Sequence, residues 1–241
     1  MNAEFLPPSR ATGIDPSETS PNGRSRAELA ALVDHTVLAP DATRSQVEQV
    51  AAEAVELGCA SVCVHPDQVA FVVAMIDGRL PVCSVVGFPH GATLPRVKAY
   101  EAASVVALGA SEVDMVVALG PIAEGDLDEV RHDVAVVREA VPDIVLKVIV
   151  ESALWTPAVL RDVCVAAVDA GADYVKTSTG FHPAGGASPE AVAVMRDAVG
   201  RRARVKASGG LRTIEAVHAV LDAGADRLGL SATAAVLAGL D

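Results

Sequence analysis

Four stretches of the chain carry nearly the same string: VELGCASVCV (55–64), VALGASEVDMV (106–116), VDAGADYVKT (168–177) and LDAGADRLGL (221–230). In each, apolar residues at helical spacing end at a glycine, and a run rich in valine or leucine follows almost at once. Glycine reaches the left-handed conformation that closes a helix, so each string reads as a helix end feeding a strand. The glycines, Gly58, Gly109, Gly171 and Gly224, recur at intervals of 51 to 62 residues. Every interval holds one further strand-like run: VCSVVGFP, DIVLKVIVE and RARVKASGG. With LVDHTVLAP ahead of Gly58, the pattern predicts eight strands, centred on 32–38, 60–65, 82–87, 111–117, 144–150, 173–177, 203–207 and 226–229.

Eight βα units of about 25 to 30 residues make a TIM (β/α)8 barrel, and a chain of 241 residues has the length for one. A doubly wound open sheet also alternates strands and helices. It needs fewer strands or more residues, and the first βα turn has no GxGxxG phosphate loop. Ahead of the barrel, Ser25 and Glu28 form a capping-box pattern before Leu29, Leu32 and Val33, which predicts a short initial helix. Residues 1–24 contain four prolines and no apolar period. They are expected to be a flexible tail, and residues 25–241 a single barrel domain.

The barrel reading changes what the rare lysines mean. There are four, Lys98, Lys147, Lys176 and Lys206, against fifteen arginines. A general drift from lysine to arginine is a compositional bias, so the positions that kept lysine are those where an amine matters. Arginine stays protonated, whereas a lysine crowded by cations or stripped of water can become a neutral nucleophile. Lys147, Lys176 and Lys206 follow valine- and isoleucine-rich runs on the expected fifth, sixth and seventh strands, and Asp114 lies on the fourth. The C-terminal ends of barrel strands converge on one mouth, so the three lysines can meet there and form a Schiff-base nucleophile. The opposing reading makes each lysine an interior cation paired with Asp114, Glu112 or Glu151.

The same mouth has the features of an anion seat. Thr177, Ser178, Thr179 and Gly180 follow strand six; Ser208, Gly209, Gly210 and Arg212 follow strand seven; Gly229 and Ser231 lead into the last helix. Glycines let backbone N–H groups approach a phosphate, and loops seven and eight are a frequent phosphate site in this fold. Gly87-Phe88-Pro89-His90-Gly91, after strand three, is expected to shape the mouth through its backbone.

Charge and composition remove other classes. A formal charge of −12 opposes nucleic acid or an anionic membrane as partner. No apolar run approaches 18 residues and no signal-like segment opens the chain, so a soluble cytoplasmic protein is expected. The six histidines lack HxH or HExxH spacing, so no metal is expected. His132 and His218 fall on predicted helices and read as solvated. Glu124, Asp126, Asp128 and Glu129 read as an exposed helix start. Cys59, Cys63, Cys83 and Cys164 lie in apolar runs, with CxxxC spacing between the first two, and read as buried free thiols.

EVDMV around Asp114, LKVIVE around Lys147, YVKTSTGF around Lys176 and VKASGGLRT around Lys206 together resemble the deoxyribose-phosphate aldolase family of class I aldolases. DHTVL, SVCVHP and VGFPHG match as well, and the resemblance covers residues 25 to about 240. It implies a TIM barrel that cleaves 2-deoxy-D-ribose 5-phosphate reversibly to D-glyceraldehyde 3-phosphate and acetaldehyde, in deoxyribonucleotide catabolism, with no metal or organic cofactor. It makes Lys176 the Schiff-base lysine, Lys206 the neighbour that tunes it and Asp114 the proton-relay carboxylate, with Lys147 completing the network. Its partners are small phosphosugars and aldehydes, with a homo-oligomer, a dimer, expected by analogy. One departure is Ala232, which stands beside Ser231 where the family commonly carries a second hydroxyl. Two other functions fit the residues: a Schiff-base aldolase for a ketose phosphate, and a phosphosugar-binding barrel without catalysis.

Overall fold

The computed structural model describes residues 23–240, so the expected tail falls almost entirely outside the described residues. Eight parallel strands close into a barrel in chain order: β1 Val33–Thr36, β2 Ser61–Val64, β3 Val82–Val86, β4 Glu112–Val116, β5 Val145–Ile149, β6 Tyr174–Lys176, β7 Arg204–Ser208 and β8 Arg227–Leu230. The fold is a TIM barrel. All eight lie on the expected runs, shorter by a few residues in most cases.

The helices outside it are α1 Arg26–Ala30, α2 Arg44–Leu57, α3 Val69–Ile76, α4 Pro95–Ala107, α5 Leu119–Glu124, α6 Leu127–Ala140, α7 Pro157–Asp169, α8 Pro189–Val199, α9 Ile214–Asp222 and α10 Thr233–Leu237. Ser25 and Glu28 form the expected capping box on α1, and Thr43 with Gln46 forms another on α2. Proline opens α4, α7 and α8, where its missing N–H costs nothing. Asp126 caps α6, with Asp128 and Glu129 in its first turn, and all three are exposed as expected.

Strand side chains split by face. Val33, Val62, Val113, Leu146, Val175, Val205 and Leu228 point outward and join the helices in the main core. The alternate positions carry Asp34, Cys83, Asp114, Lys147, Lys176 and Lys206 into the barrel lumen, all at least 97% buried. The lumen is therefore polar where most barrels of this kind stack branched aliphatics.

The repeated GAD string does more than end a helix. Gly171 and Gly224 follow the caps of α7 and α9 at φ of 102° and 110°. Arg138 from α6 donates through Nε to the Gly171 carbonyl and through NH2 to Asp173. Asp173 in turn accepts the Leu146 N–H of β5. Arg196 from α8 repeats the clasp on Gly224, Asp226 and the Val205 N–H of β7. A β carbon at Gly224 would come within 2.8 Å of the Arg196 side chain, so the guanidinium reaches its targets only past a glycine. Each clasp ties one βα unit to the next strand, and it lies at the barrel end opposite the mouth.

Two expectations are corrected. His218, on α9, is buried at 9% exposure rather than solvated, whereas His132 is exposed. The FPHG loop contributes a side chain as well as backbone: Phe88 packs edge-on to Phe181 at 5.2 Å and to His65 at 5.8 Å. Its Gly91 lies where a β carbon would strike the Val117 carbonyl at 2.2 Å. No helix among the described residues is long and apolar enough to cross a membrane.

Candidate active site

Parallel register places the charged residues side by side. Asp114 on β4 pairs with Lys147 on β5, and Lys176 on β6 with Lys206 on β7. Asp114 accepts from Lys147 through Oδ1 at 2.7 Å and from both Lys176 and Lys206 through Oδ2, each at 2.7 Å. Three amines from three strands thus converge on one fully buried carboxylate.

Three further groups complete the network. Asp34 on β1 accepts from Lys206, from Arg227 at 2.8 Å and from the Ser61 hydroxyl at 2.8 Å. Glu112 pairs with Lys147 at 2.6 Å and with Arg227 at 3.6 Å. Four cations, Lys147, Lys176, Lys206 and Arg227, therefore meet three carboxylates, Asp34, Glu112 and Asp114, which leaves one surplus positive charge in a low-dielectric interior.

Burial alone would raise the acids, but the cations outweigh it. Asp114 is held well below the usual carboxylate range by Lys147, Lys176 and Lys206, and Asp34 well below it by Lys206, Lys147 and Arg227. Burial would likewise lower the amines. Asp114, Cys83, Asp34 and Glu112 nevertheless push Lys147 well above the ordinary lysine value, and Asp114 with Asp34 raises Lys206. The lysines are not crowded by cations alone: the amines interleave with carboxylates. Lys147 does pair with Glu112 and Asp114, while Glu151 binds no lysine.

Lys176 differs from its neighbours in two ways. It has a single carboxylate contact, Asp114, where Lys206 has two and Lys147 three. It also lines the mouth, a cavity of about 410 Å3. That volume is in the range of small-molecule sites.

Gly180, Gly209, Gly210, Arg212, Gly229 and Ser231 line the same cavity. Gly209 adopts φ +85°, and a β carbon there would lie 3.1 Å and 3.3 Å from the Gly186 and Gly180 Cα atoms, so the position favours glycine on both counts. At Gly229 a β carbon would lie 2.8 Å from Ser208 Cβ and 3.4 Å from Lys206 Cε, so this glycine makes room for the lysine stem.

Two expected binding residues point elsewhere. Thr177 and Ser178 are fully buried and do not line the cavity. The Thr177 hydroxyl donates to the Ser208 carbonyl and accepts its N–H, both at 3.0 Å, and the Ser178 carbonyl accepts the Ser208 hydroxyl at 2.6 Å. Both residues therefore lace β6 to β7. The last helix starts at Thr233, two residues past Ser231, and spans five residues without a side-chain cap, so its dipole offers little to an anion.

Sequence reasoning missed Asp34 and Arg227, named Glu112 as a lysine partner, and gave Glu151 a lysine where it binds Thr179 instead. Glu151 adopts φ +52° and accepts the Thr179 N–H and hydroxyl, which fixes the loop after Lys176. The strand phase carried a usable signal for the two that were missed: Asp34 and Arg227 each stand one step from an outward-facing apolar residue, Val33 and Leu228. Among the described residues, the Cys63 and Cys83 sulphurs and an Asp114 oxygen, within 4.8 Å of one another, have the donor chemistry for a metal. A cation there would have to displace the ammonium groups that Asp114 already holds.

Comparison with known proteins bears on this arrangement. The sequence model of the DeoC/LacD family aldolases matches residues 29–240. The deoxyribose-phosphate aldolase of Mycolicibacterium paratuberculosis is 57% identical over 90% of this chain and 98% of its own, and that of Kocuria rhizophila 56% identical over 90% and 99%. The tetrameric deoxyribose phosphate aldolase of Aeropyrum pernix superposes with a TM-score of 0.82 at 33% identity, covering 89% of this chain and 91% of the other. The chain belongs to the deoxyribose-phosphate aldolase family, within the DeoC/LacD aldolases.

Proposed function

We propose that the protein cleaves 2-deoxy-D-ribose 5-phosphate reversibly to D-glyceraldehyde 3-phosphate and acetaldehyde through an imine on Lys176. The observation that carries this reading is that Lys176 and Lys206 share one oxygen of Asp114 at the floor of the mouth. The surplus positive charge of the cluster is relieved when one ammonium gives up its proton. Lys176 is the amine bound least and reached most easily from solvent.

Neutral Lys176 attacks the aldehyde carbon of the open-chain sugar, and loss of water leaves an iminium. The hydroxyl two carbons away then releases its proton, the carbon–carbon bond between breaks, and its electron pair moves into an enamine. Glyceraldehyde 3-phosphate departs. Protonation of the enamine carbon and hydrolysis of the imine release acetaldehyde and restore Lys176.

Asp114 with three ammonium donors is a weak base. It relays the proton of the substrate hydroxyl directly or through one water, while the iminium on Lys176 keeps the positive charge that draws the electron pair. Lys206 stays cationic on Asp34 and Asp114 and holds that carboxylate in place. Gly180, Gly209, Gly210, Gly229, Ser231 and Arg212 would seat the phosphate, with Ala232 giving no second hydroxyl. The protein assembles as a homo-oligomer in this reading.

The test is product analysis. With deoxyribose 5-phosphate the protein is expected to release acetaldehyde and glyceraldehyde 3-phosphate in equal amounts. Cleavage of a ketose phosphate with release of dihydroxyacetone phosphate, and none of deoxyribose 5-phosphate, would overturn the assignment.

A further inference from the structure

The register of β2 on β3 sets Cys63 directly beside Cys83. Both are fully buried and share a small apolar cluster with Leu38 and Val85, against which Phe88 packs. Their sulphur atoms and a carboxylate oxygen of Asp114 lie within 4.8 Å of one another. Neighbouring strands stand about 4.8 Å apart, inside the range of roughly 4.4 to 6.8 Å between Cα atoms that a disulfide spans. Cys83 also belongs to the charged network, donating to Asp114 Oδ1 at 3.1 Å and accepting from Lys147 Nζ at 3.3 Å.

We propose that Cys63 and Cys83 are an oxidisable dithiol, closed to a disulfide by a small uncharged hydroperoxide that enters through the mouth, and that closure disables the cluster around Asp114. Leu38 belongs both to the mouth lining and to the cysteine cluster, so the mouth and the thiols are separated by one side chain. The two thiols are also set apart chemically. A hydrogen bond with Cys83 holds Cys63 below the ordinary thiol value against the effect of burial, whereas burial drives Cys83 well above it. Cys63 is therefore the attacking sulphur and Cys83 the resolving one.

Cys63 sulphur attacks one peroxide oxygen, the O–O bond breaks, and water or an alcohol leaves with the proton, giving a sulfenic acid. Cys83 sulphur then attacks Cys63 sulphur, the S–O bond breaks, and hydroxide leaves as water with the Cys83 proton. Two thiols and one hydrogen peroxide give one disulfide and two waters. The remaining cysteines are poor candidates, since burial chiefly pushes the Cys59 and Cys164 thiols up to about 12.

A disulfide has no S–H to donate. Asp114 loses its Cys83 donor, and the shift of that sulphur toward Cys63 to a bond of about 2 Å draws it away from Lys147. This consequence rests on the proposed imine chemistry; formation of the bridge does not. The test treats the full chain with hydrogen peroxide, alkylates it under denaturing conditions and digests it without reductant. A peptide pair joining Cys63 to Cys83 is expected. Borohydride trapping of acetaldehyde is expected to fall about tenfold or more, the effect of losing a hydrogen bond to a charged group, and to return with dithiothreitol.

Cys83→Ser keeps a hydroxyl toward Asp114 but cannot close the bridge, so its trapping after peroxide should equal its own untreated level; Cys63→Ser serves if that variant does not fold. Recovery of both cysteines alkylated, pairing of either with Cys59 or Cys164, or equal peroxide sensitivity in the serine variant would overturn the proposal. Absence of trapping in the untreated protein would instead count against the imine chemistry, and the peptide map would still decide the bridge.

Discussion

Lys176 and Lys206 are one register pair on adjacent strands, yet their surroundings divide their work. Lys206 is fixed between Asp34 and Asp114, while Lys176 has only the oxygen of Asp114 that it shares. Replacing Lys206 with leucine removes the competing cation and leaves Oδ2 of Asp114 to the Lys176 ammonium alone. The pH at which imine trapping is half-maximal should therefore move upward, and an unchanged profile would remove Lys206 from the tuning role. Lys147, Lys176, Lys206 and Asp114 were legible in the sequence because lysine is rare here and the strand runs are clear. Glu112 was named as a partner too, but Asp34 and Arg227 were not legible, because they lie 193 residues apart and only barrel closure joins β1 to β8. Thr177 and Ser178 misled for a local reason: hydroxyls beside a lysine read as ligand groups, but strand lacing consumes the Thr177 hydroxyl and turns both residues out of the mouth.

At the scale of elements, the recurring glycine strings located four strands, since a closing glycine and an immediate strand leave little freedom in boundary, and they bracketed the apolar runs that gave the rest. What they concealed was the clasp from Arg138 and Arg196, which depends on helices one unit earlier. Asp173→Ala should cost about 1 to 3 kcal/mol, because the Leu146 N–H loses its acceptor and Arg138 its partner. Chemical denaturation measures this, and a change below about 0.5 kcal/mol would make the clasp incidental. Gly229→Ala tests the mouth: the added carbon must displace Ser208 or the Lys206 stem, so activity should fall while the fold persists. Full activity in that variant would show that the Lys206 position is not critical.

Across the whole molecule, the polar lumen links stability to pH. The folded-state pKa values of Asp34 and Asp114 lie well below the ordinary carboxylate value of about 4. Their contribution is thus complete above that value and is lost as pH falls toward the folded values, because the unfolded chain binds protons that the folded one refuses. In Lys206→Leu both carboxylates lose a cation, so this variant should be less stable than the parent at pH 7 and the two melting temperatures should converge on acidification. Parallel curves would contradict the linkage. The outer surface also carries exposed Val97, Tyr100 and Leu108, along α4 and just past its end. Apolar groups so placed fit the expected homo-oligomer, and sedimentation should find an assembly larger than a monomer at micromolar concentration. The most direct measurement of the central claim is mass spectrometry of the protein reduced with borohydride in the presence of acetaldehyde. An ethyl adduct on Lys176, absent from Lys176→Leu, is the result the account predicts; an adduct on another lysine, or one that persists in that variant, would contradict it.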